Sequence, residues 1–370
     1  MSALALQHEA VNLGQGFSDF DCDPQLLELI NQALRAGHNQ YAPMAGVMAL
    51  REAVSKQIET LYGHHYDPAN EITITAGATQ AIHTALSIVV HPGDEVILFE
   101  PVYDSYEPVI RLNGGTPVYA TLCPPDYRPD MSQLSSLLTP RTRAIVINTP
   151  HNPTASIWTH EDMQSLARLL RDTSVVVISD EVYEHIVYDG VQHQSVSRYP
   201  ELAERSFMVS SFGKAYHITG WKIAYCAAPA ELMMEFRKAH QYVVFCVHAP
   251  SQYALAEYLK LDTHVQLRIF YQRKRDLFLN AVQDCGLNWL SSQGTYFVSA
   301  SYAHIPSLTR MTDQDVAVWF TTQLGVACIP LSVFYHDGFD QNIIRFCFAK
   351  QDTTLQLAAQ RLSRLNTRLG

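Results

Sequence analysis

The sequence predicts an α/β protein: an open, mostly parallel β-sheet with helices on both faces, followed by a smaller α+β unit. Three observations carry this. From about residue 71, short β-branched runs alternate with longer helical patterns, as successive βαβ units require. Runs such as Val175-Val176-Val177-Ile178 are apolar without a break, which suits strands covered on both faces. After about residue 265 the alternation gives way to a long helical pattern and scattered short strands.

Taken in order, strands are expected at 71–76, 95–99, 116–120, 143–148, 174–179 and 207–210. Pro92-Gly93, Asn113-Gly114-Gly115 and Cys123-Pro124-Pro125 mark the breaks between units, because glycine and proline favour turns and interrupt regular pairing. The C-terminal third should hold a long helix, a turn at Gln293-Gly294-Thr295, a strand near 296–299, another helix, two short strands and a last amphipathic helix. The expected division is an N-terminal segment (1–38) associated with the small domain, a large domain (39–265) and a small C-terminal domain (266–370). A chain of 370 residues fits such a pair of domains.

Apolar residues make up 47% and charged residues 17% of the chain, which leaves ample material for a core and excludes extended disorder. The formal net charge of −10, without a basic stripe, argues against a nucleic-acid partner. The seven cysteines are odd in number and carry no Cys-x-x-Cys pair, so buried thiols in a reducing compartment are expected. No apolar run approaches the roughly 18 residues of a membrane span. With no basic and apolar leader at the start, a cytoplasmic protein is expected.

The densest chemistry lies in 210–222, Ser-Ser-Phe-Gly-Lys-Ala-Tyr-His-Ile-Thr-Gly-Trp-Lys. A lysine just beyond a strand end sits where α/β sheets gather ligands, and burial near other cations makes its amine a nucleophile. Lys214 is that lysine. Ser211 and Lys222 flank it as candidate anion holders, and His217 is a close sequence neighbour. Most lysines are solvated surface residues, so the assignment depends on the surrounding motifs.

Those motifs occur in a recognisable order: Gly77-Ala78-Thr79, Glu100-Pro101-Val102-Tyr103, Asn148-Thr149-Pro150-His151-Asn152-Pro153-Thr154, Ser179-Asp180-Glu181-Val182-Tyr183, the Lys214 segment, and Ile343-Ile344-Arg345-Phe346. The set resembles the class I/II, fold type I aminotransferases that depend on pyridoxal 5′-phosphate (PLP). That resemblance spans nearly the whole chain. It implies a large domain with a mostly parallel seven-stranded sheet, a smaller α+β domain, and Lys214 as the residue joined covalently to the cofactor.

The resemblance also implies a role for each match. Asp180 would pair with the pyridine nitrogen, Tyr183 and Asn152 would bond the ring oxygen, and Tyr103 would stack on the ring. Gly77, Ala78, Thr79, Ser211 and Lys222 would hold the phosphate, joined by Tyr41 from a neighbouring subunit, which makes the active unit a homodimer with shared sites. Arg345 would bind the substrate carboxylate through its planar fork, with Gly16 and Phe17 closing over the substrate. Lys222 stands where many relatives have arginine, and Ala155 where many have glycine. The first residues, Met1-Ser2-Ala3-Leu4, resemble an internal stretch of the family's N-terminal arm, so a short preceding segment is expected.

Around Phe17, at 103–106 and at 329–334 the sequence most resembles the bacterial methionine aminotransferases and the related kynurenine/glutamine transaminase branch. This implies amino-group transfer from methionine, and from aromatic amino acids, glutamine or histidine, to a 2-oxo acid by a ping-pong route. Phe17, Tyr41 and Phe245 would supply an aromatic pocket, and no second arginine suited to a side-chain carboxylate is evident. The alternative is a PLP-dependent C-S lyase of the same fold, since a fold does not fix the reaction. The 16 histidines show no metal-ligand spacing, and a dehydrogenase is disfavoured because no G-x-G-x-x-G opens a first strand-to-helix turn.

Overall fold

The computed structural model describes residues 1–261 and 263–369. Its first strand, β1 (Val11–Asn12), lies outside the main sheet. The main sheet is built from β2 (Ile72–Thr75), β3 (Glu95–Glu100), β4 (Thr116–Thr121), β5 (Thr142–Asn148), β6 (Val176–Asp180), β7 (Ser206–Ser211) and β8 (Ala224–Ala227). These seven strands run in the order β2-β8-β7-β6-β5-β3-β4. β8 is antiparallel to both neighbours, and the remaining pairs are parallel.

The unbroken apolar runs are buried on both faces, as both-sided cover demands. Alternate residues of β3 enter opposite cores: Val96 and Leu98 join one cluster, Ile97 and Phe99 the other. The helix Ala78–Val89 lays Ala81, Ile82, Ala85 and Leu86 into the first of these cores. The helix His160–Leu170 is opened by a reciprocal cap in which Thr159 and Asp162 bond each other's backbone N–H. Such caps fix where a helix starts and therefore how it meets the sheet.

Beyond the long helix His264–Val282 come β9 (Asn288–Trp289), β10 (Phe297–Ser301), β11 (Val326–Ala327), β12 (Ile329–Pro330) and β13 (Ile343–Cys347). β12, β13, β10 and β9 form an antiparallel sheet. β1 pairs in parallel with β11, and the Leu13 N–H donates to the Ala327 carbonyl at 3.0 Å. The N-terminal residues are thereby laced to the C-terminal third. The helix Pro24–Arg35 leans the other way, packing on Ala249–Tyr258, where the Tyr258 hydroxyl donates to Asp23 at 2.9 Å.

Several strands depart from the sequence reading: β1, β8 and β9 were not expected, and three short strands, β11, β12 and β13, stand where two were expected. β8 was not expected, because a four-residue stretch with two alanines has little β propensity of its own; two flanking strands hold it. β9 is shorter still and owes its place to β10. The turn at 293–295 is present, and its glycine is dictated by space: a Cβ on Gly294 would lie 2.6 Å from Pro150 Cβ. Among the described residues no helix is long and apolar enough to cross a membrane.

Candidate active site

Asn148, Asp180 and Ser211 end the adjacent strands β5, β6 and β7. Carboxyl ends of parallel strands are where ligands gather in such sheets. Here they open onto a cavity of about 160 Å³ lined by residues that include Gly77, Thr79, Tyr103, Asn152, Asp180, Tyr183, Lys214 and Lys222.

Lys214 lies in the short helix Phe212–Ala215, whose cap is Ser211 accepting from the Gly213 N–H at 3.2 Å. Burial pushes the Lys214 amine below its usual range, Lys222 and Arg345 add to this, and Asp180 opposes it. A buried lysine near other cations reaches the neutral, nucleophilic state more easily. Its nitrogen stands 5.7 Å from the Tyr183 ring centre and 5.9 Å from that of Tyr296.

Burial raises the Asp180 carboxyl to about 6, although the Tyr106 hydroxyl, the Val182 N–H and Lys214 pull the other way. Tyr106 donates to Asp180 at 2.5 Å and Val182 at 3.3 Å. The backbone behind Asp180 is held as well, since the Asn148 side chain donates to its carbonyl at 2.9 Å. The other end of Asn148 accepts from the Asn152 N–H at 2.8 Å, linking the two motif loops.

Across the cavity wall, Arg345 donates to the Asn152 side-chain oxygen at 2.5 Å. The guanidinium lies 4.0 Å from the ring centre of Phe297 and 5.0 Å from that of Phe334. Its Nε is buried without a hydrogen-bond partner among the described residues. An arginine so desolvated and incompletely satisfied is arranged to receive an anion.

Gly77 adopts φ +82 ahead of the helix Ala78–Val89, and no side chain caps that helix. A Cβ on Gly77 would lie 3.3 Å from the Lys222 ammonium. Free N–H groups at a helix start beside a lysine and a serine suit a phosphate. The donor set therefore fits PLP chemically: an anion cradle for its phosphate, a buried acid that could meet a protonated ring nitrogen, an aromatic side chain in Tyr103, and an amine for the aldehyde.

Sequence reasoning placed most of this constellation, but not all of it converges. Tyr41 and Phe245 do not line the cavity. They pack together with ring centres 5.2 Å apart and are 81% and 50% exposed. Phe17 is half-exposed, while the Gly16 carbonyl accepts from Tyr296 at 2.6 Å. His217 turns away and meets Phe20 edge-on at 4.7 Å. Ala155 is buried at φ +62, a conformation that favours glycine.

Tyr106, Tyr296 and Phe297 were missed. Tyr106 opens the helix Tyr106–Leu112 three residues after Tyr103, and that proximity is the one local sign of a shared site. Among the described residues no group of three or more His, Cys, Asp or Glu side chains is placed to hold a metal ion.

Comparison with known proteins decides the family. The family model for "Aminotransferase class I and II" matches residues 8–362. The chain belongs to the class I and II aminotransferases. This aminotransferase is 47% identical to the methionine aminotransferase of Escherichia coli over 367 residues, covering 99% of this chain and 94% of the relative. It is 39% identical to a probable N-succinyldiaminopimelate aminotransferase of Mycobacterium tuberculosis, covering 100% and 95%. With kynurenine–oxoglutarate transaminase 1 of Homo sapiens it shares 33% identity, covering 99% and 94%. The solved structure of YbdL from Escherichia coli, described as having a methionine aminotransferase function, superposes with a TM-score of 0.96 at 47% identity, covering 98% of this chain and 95% of that one. The fold is that of the fold type I aminotransferases.

Proposed function

We propose that this aminotransferase carries PLP on Lys214 and moves the amino group of methionine to a 2-oxo acid, with aromatic amino acids, glutamine and histidine as further donors. One observation carries the reading: Lys214, Asp180 and Asn152 converge on one cavity from separate stretches of chain, with a depressed amine near a buried acid and the buried, underbonded guanidinium of Arg345 bonded to Asn152.

Gly77, Ala78, Thr79, Ser211 and Lys222 would hold the phosphate, Asp180 the pyridine nitrogen, and Tyr183 and Asn152 the ring oxygen, with Tyr103 against the ring. When bound, the cofactor supplies an electron-withdrawing ring that accepts the charge left as the donor's Cα loses its proton. Lys214, kept ready for neutrality by burial, takes that proton as general base and later returns one as general acid. Arg345 fixes the donor carboxylate, which orients the Cα–H bond toward the amine. The 2-oxo acid product leaves before the acceptor binds, giving ping-pong kinetics.

Gly16 and Phe17 would close over the donor side chain. The exposed apolar group of Tyr41, Tyr242, Val243 and Phe245 supports a homodimer in which Tyr41 reaches the neighbouring phosphate site and Phe245 borders the shared pocket. The proposed division is 1–38, 39–265 and 266–370; the separate sheets support two domains, while the long helix begins at His264 and the helix Pro24–Arg35 packs on Ala249–Tyr258 of the large domain. Seven free thiols support a reducing, cytoplasmic setting.

The test is a panel of amino donors assayed with several oxo-acid acceptors. Methionine should rank among the best donors, ahead of aspartate. A methionine rate far below that for aspartate rejects the substrate assignment, and pyruvate or ammonia released without an acceptor would show C-S lyase chemistry instead.

A further inference from the structure

β13 carries Arg345, and the chain beyond it reaches Lys350 five residues later. Lys350 is only 4% exposed. Its ammonium donates to the Phe17 carbonyl at 2.7 Å and lies 4.9 Å from the Phe17 ring centre. A buried ammonium is unfavourable unless its charge is met, and here both the acceptor and the ring belong to residue 17. The following residue continues the clasp: the Gln351 N–H donates to the Asp19 carboxylate at 2.5 Å. The segment holding Phe17 is thus tied to the same stretch that holds the carboxylate-binding arginine.

We propose that Lys350 is a positioning residue that sets the Phe17 ring as the wall against the donor side chain, and so sets preference for long apolar donors. This deepens the reading of Phe17 given above and rests on it. Without the cation, a half-exposed ring gains rotamer freedom, and ordering it again is charged to binding. Small donors do not reach the wall and should not register the loss. Lys350 touches no reacting atom, so the effect should fall on KM.

The experiment compares methionine and alanine as donors for the holoenzyme and its Lys350→Met, Phe17→Leu and double variants. Binding of 4-(methylthio)butanoate and propanoate, which lack the amino group, is followed by calorimetry alongside. Lys350→Met should raise KM for methionine about tenfold and weaken the thioether acid similarly, given the strength of a buried cation–ring contact. Alanine and propanoate should change less than about threefold, and the methionine effect should vanish in the Phe17→Leu background. Equal losses for both donors, or an undiminished effect in the double variant, overturn the proposal. Because Phe17 is half-exposed, Phe17→Leu probes the pair even if Lys350→Met folds poorly. A wild type indifferent to donor size overturns the substrate reading together with this one. A selective wild type whose preference survives Lys350→Met overturns this one alone.

Discussion

The Tyr106 hydroxyl donates to the Asp180 carboxylate at 2.5 Å, with both side chains buried at the carboxyl end of β6. Burial lifts that carboxyl to about 6 even with the phenol bond pulling it down. Asp180 is therefore poised close to neutrality, and Tyr106 helps to keep it ionised.

Replacing Tyr106 by phenylalanine removes the donor and leaves the acid more exposed to the cost of burial. A hydrogen bond to a charged group is worth about 1.5 kcal/mol, roughly one pH unit. If Asp180 must ionise to receive the pyridine nitrogen, cofactor affinity should then weaken about fivefold more at pH 6 than at pH 8. Equilibrium dialysis of the cofactor at the two pH values checks this. The same ratio at both would show that Tyr106 acts on packing alone.

Lys214→Ala should abolish turnover, with a loss of at least about 10³-fold from missing proton transfer alone, while the cofactor still binds weakly through the anion cradle and Asp180. Borohydride reduction followed by mass spectrometry should add the cofactor's mass less one oxygen (water lost on imine formation, two hydrogens gained on reduction) to wild-type Lys214 and nothing at that position in the variant. Normal transamination by the variant would remove the mechanism.

Acid should destabilise the cofactor-free chain. Burial lowers His151 and His185 to about 3 and His217 to about 4. Each is neutral when folded and takes a proton near 6.5 when unfolded, so its stabilising contribution is present above 6.5 and is lost as pH falls toward the folded value. Asp180 has the opposite sign: raised from 3.8 to about 6, it favours the folded state below 3.8, and that contribution is lost as pH rises through 6. Glu100 and Asp313, also raised by burial, share the sign of Asp180, and the three histidines are expected to outweigh these acids. Unfolding free energy should fall below pH 6.5, by up to about 1.4 kcal/mol per pH unit for each histidine, and Tm should fall with it; a flat Tm from pH 7.5 to 5 would contradict this.

The sequence was most legible where chemistry is local. Strand runs with β-branched residues stood out, and so did motif residues that end strands, because a polar group closing an apolar run has few other reasons to be there. β8 was hidden because its alanines become strand only between β2 and β7. Tyr106 was hidden because its partner lies 74 residues away. Tyr41 and Phe245 were assigned to a pocket by resemblance, and a single chain leaves them on its outer surface.

The reversed direction of β8 has a further bearing on the reactive segment. β7 and β8 pair from Met208 with Ala227 to Ser211 with Ala224, so the chain leaving one strand re-enters its neighbour and the amine-bearing turn is closed at its base like a buckle. The two ends of the stretch that carries Lys214 and Lys222 are therefore pinned side by side, so a substitution that breaks the Ser211–Ala224 rung should reach both lysines at once.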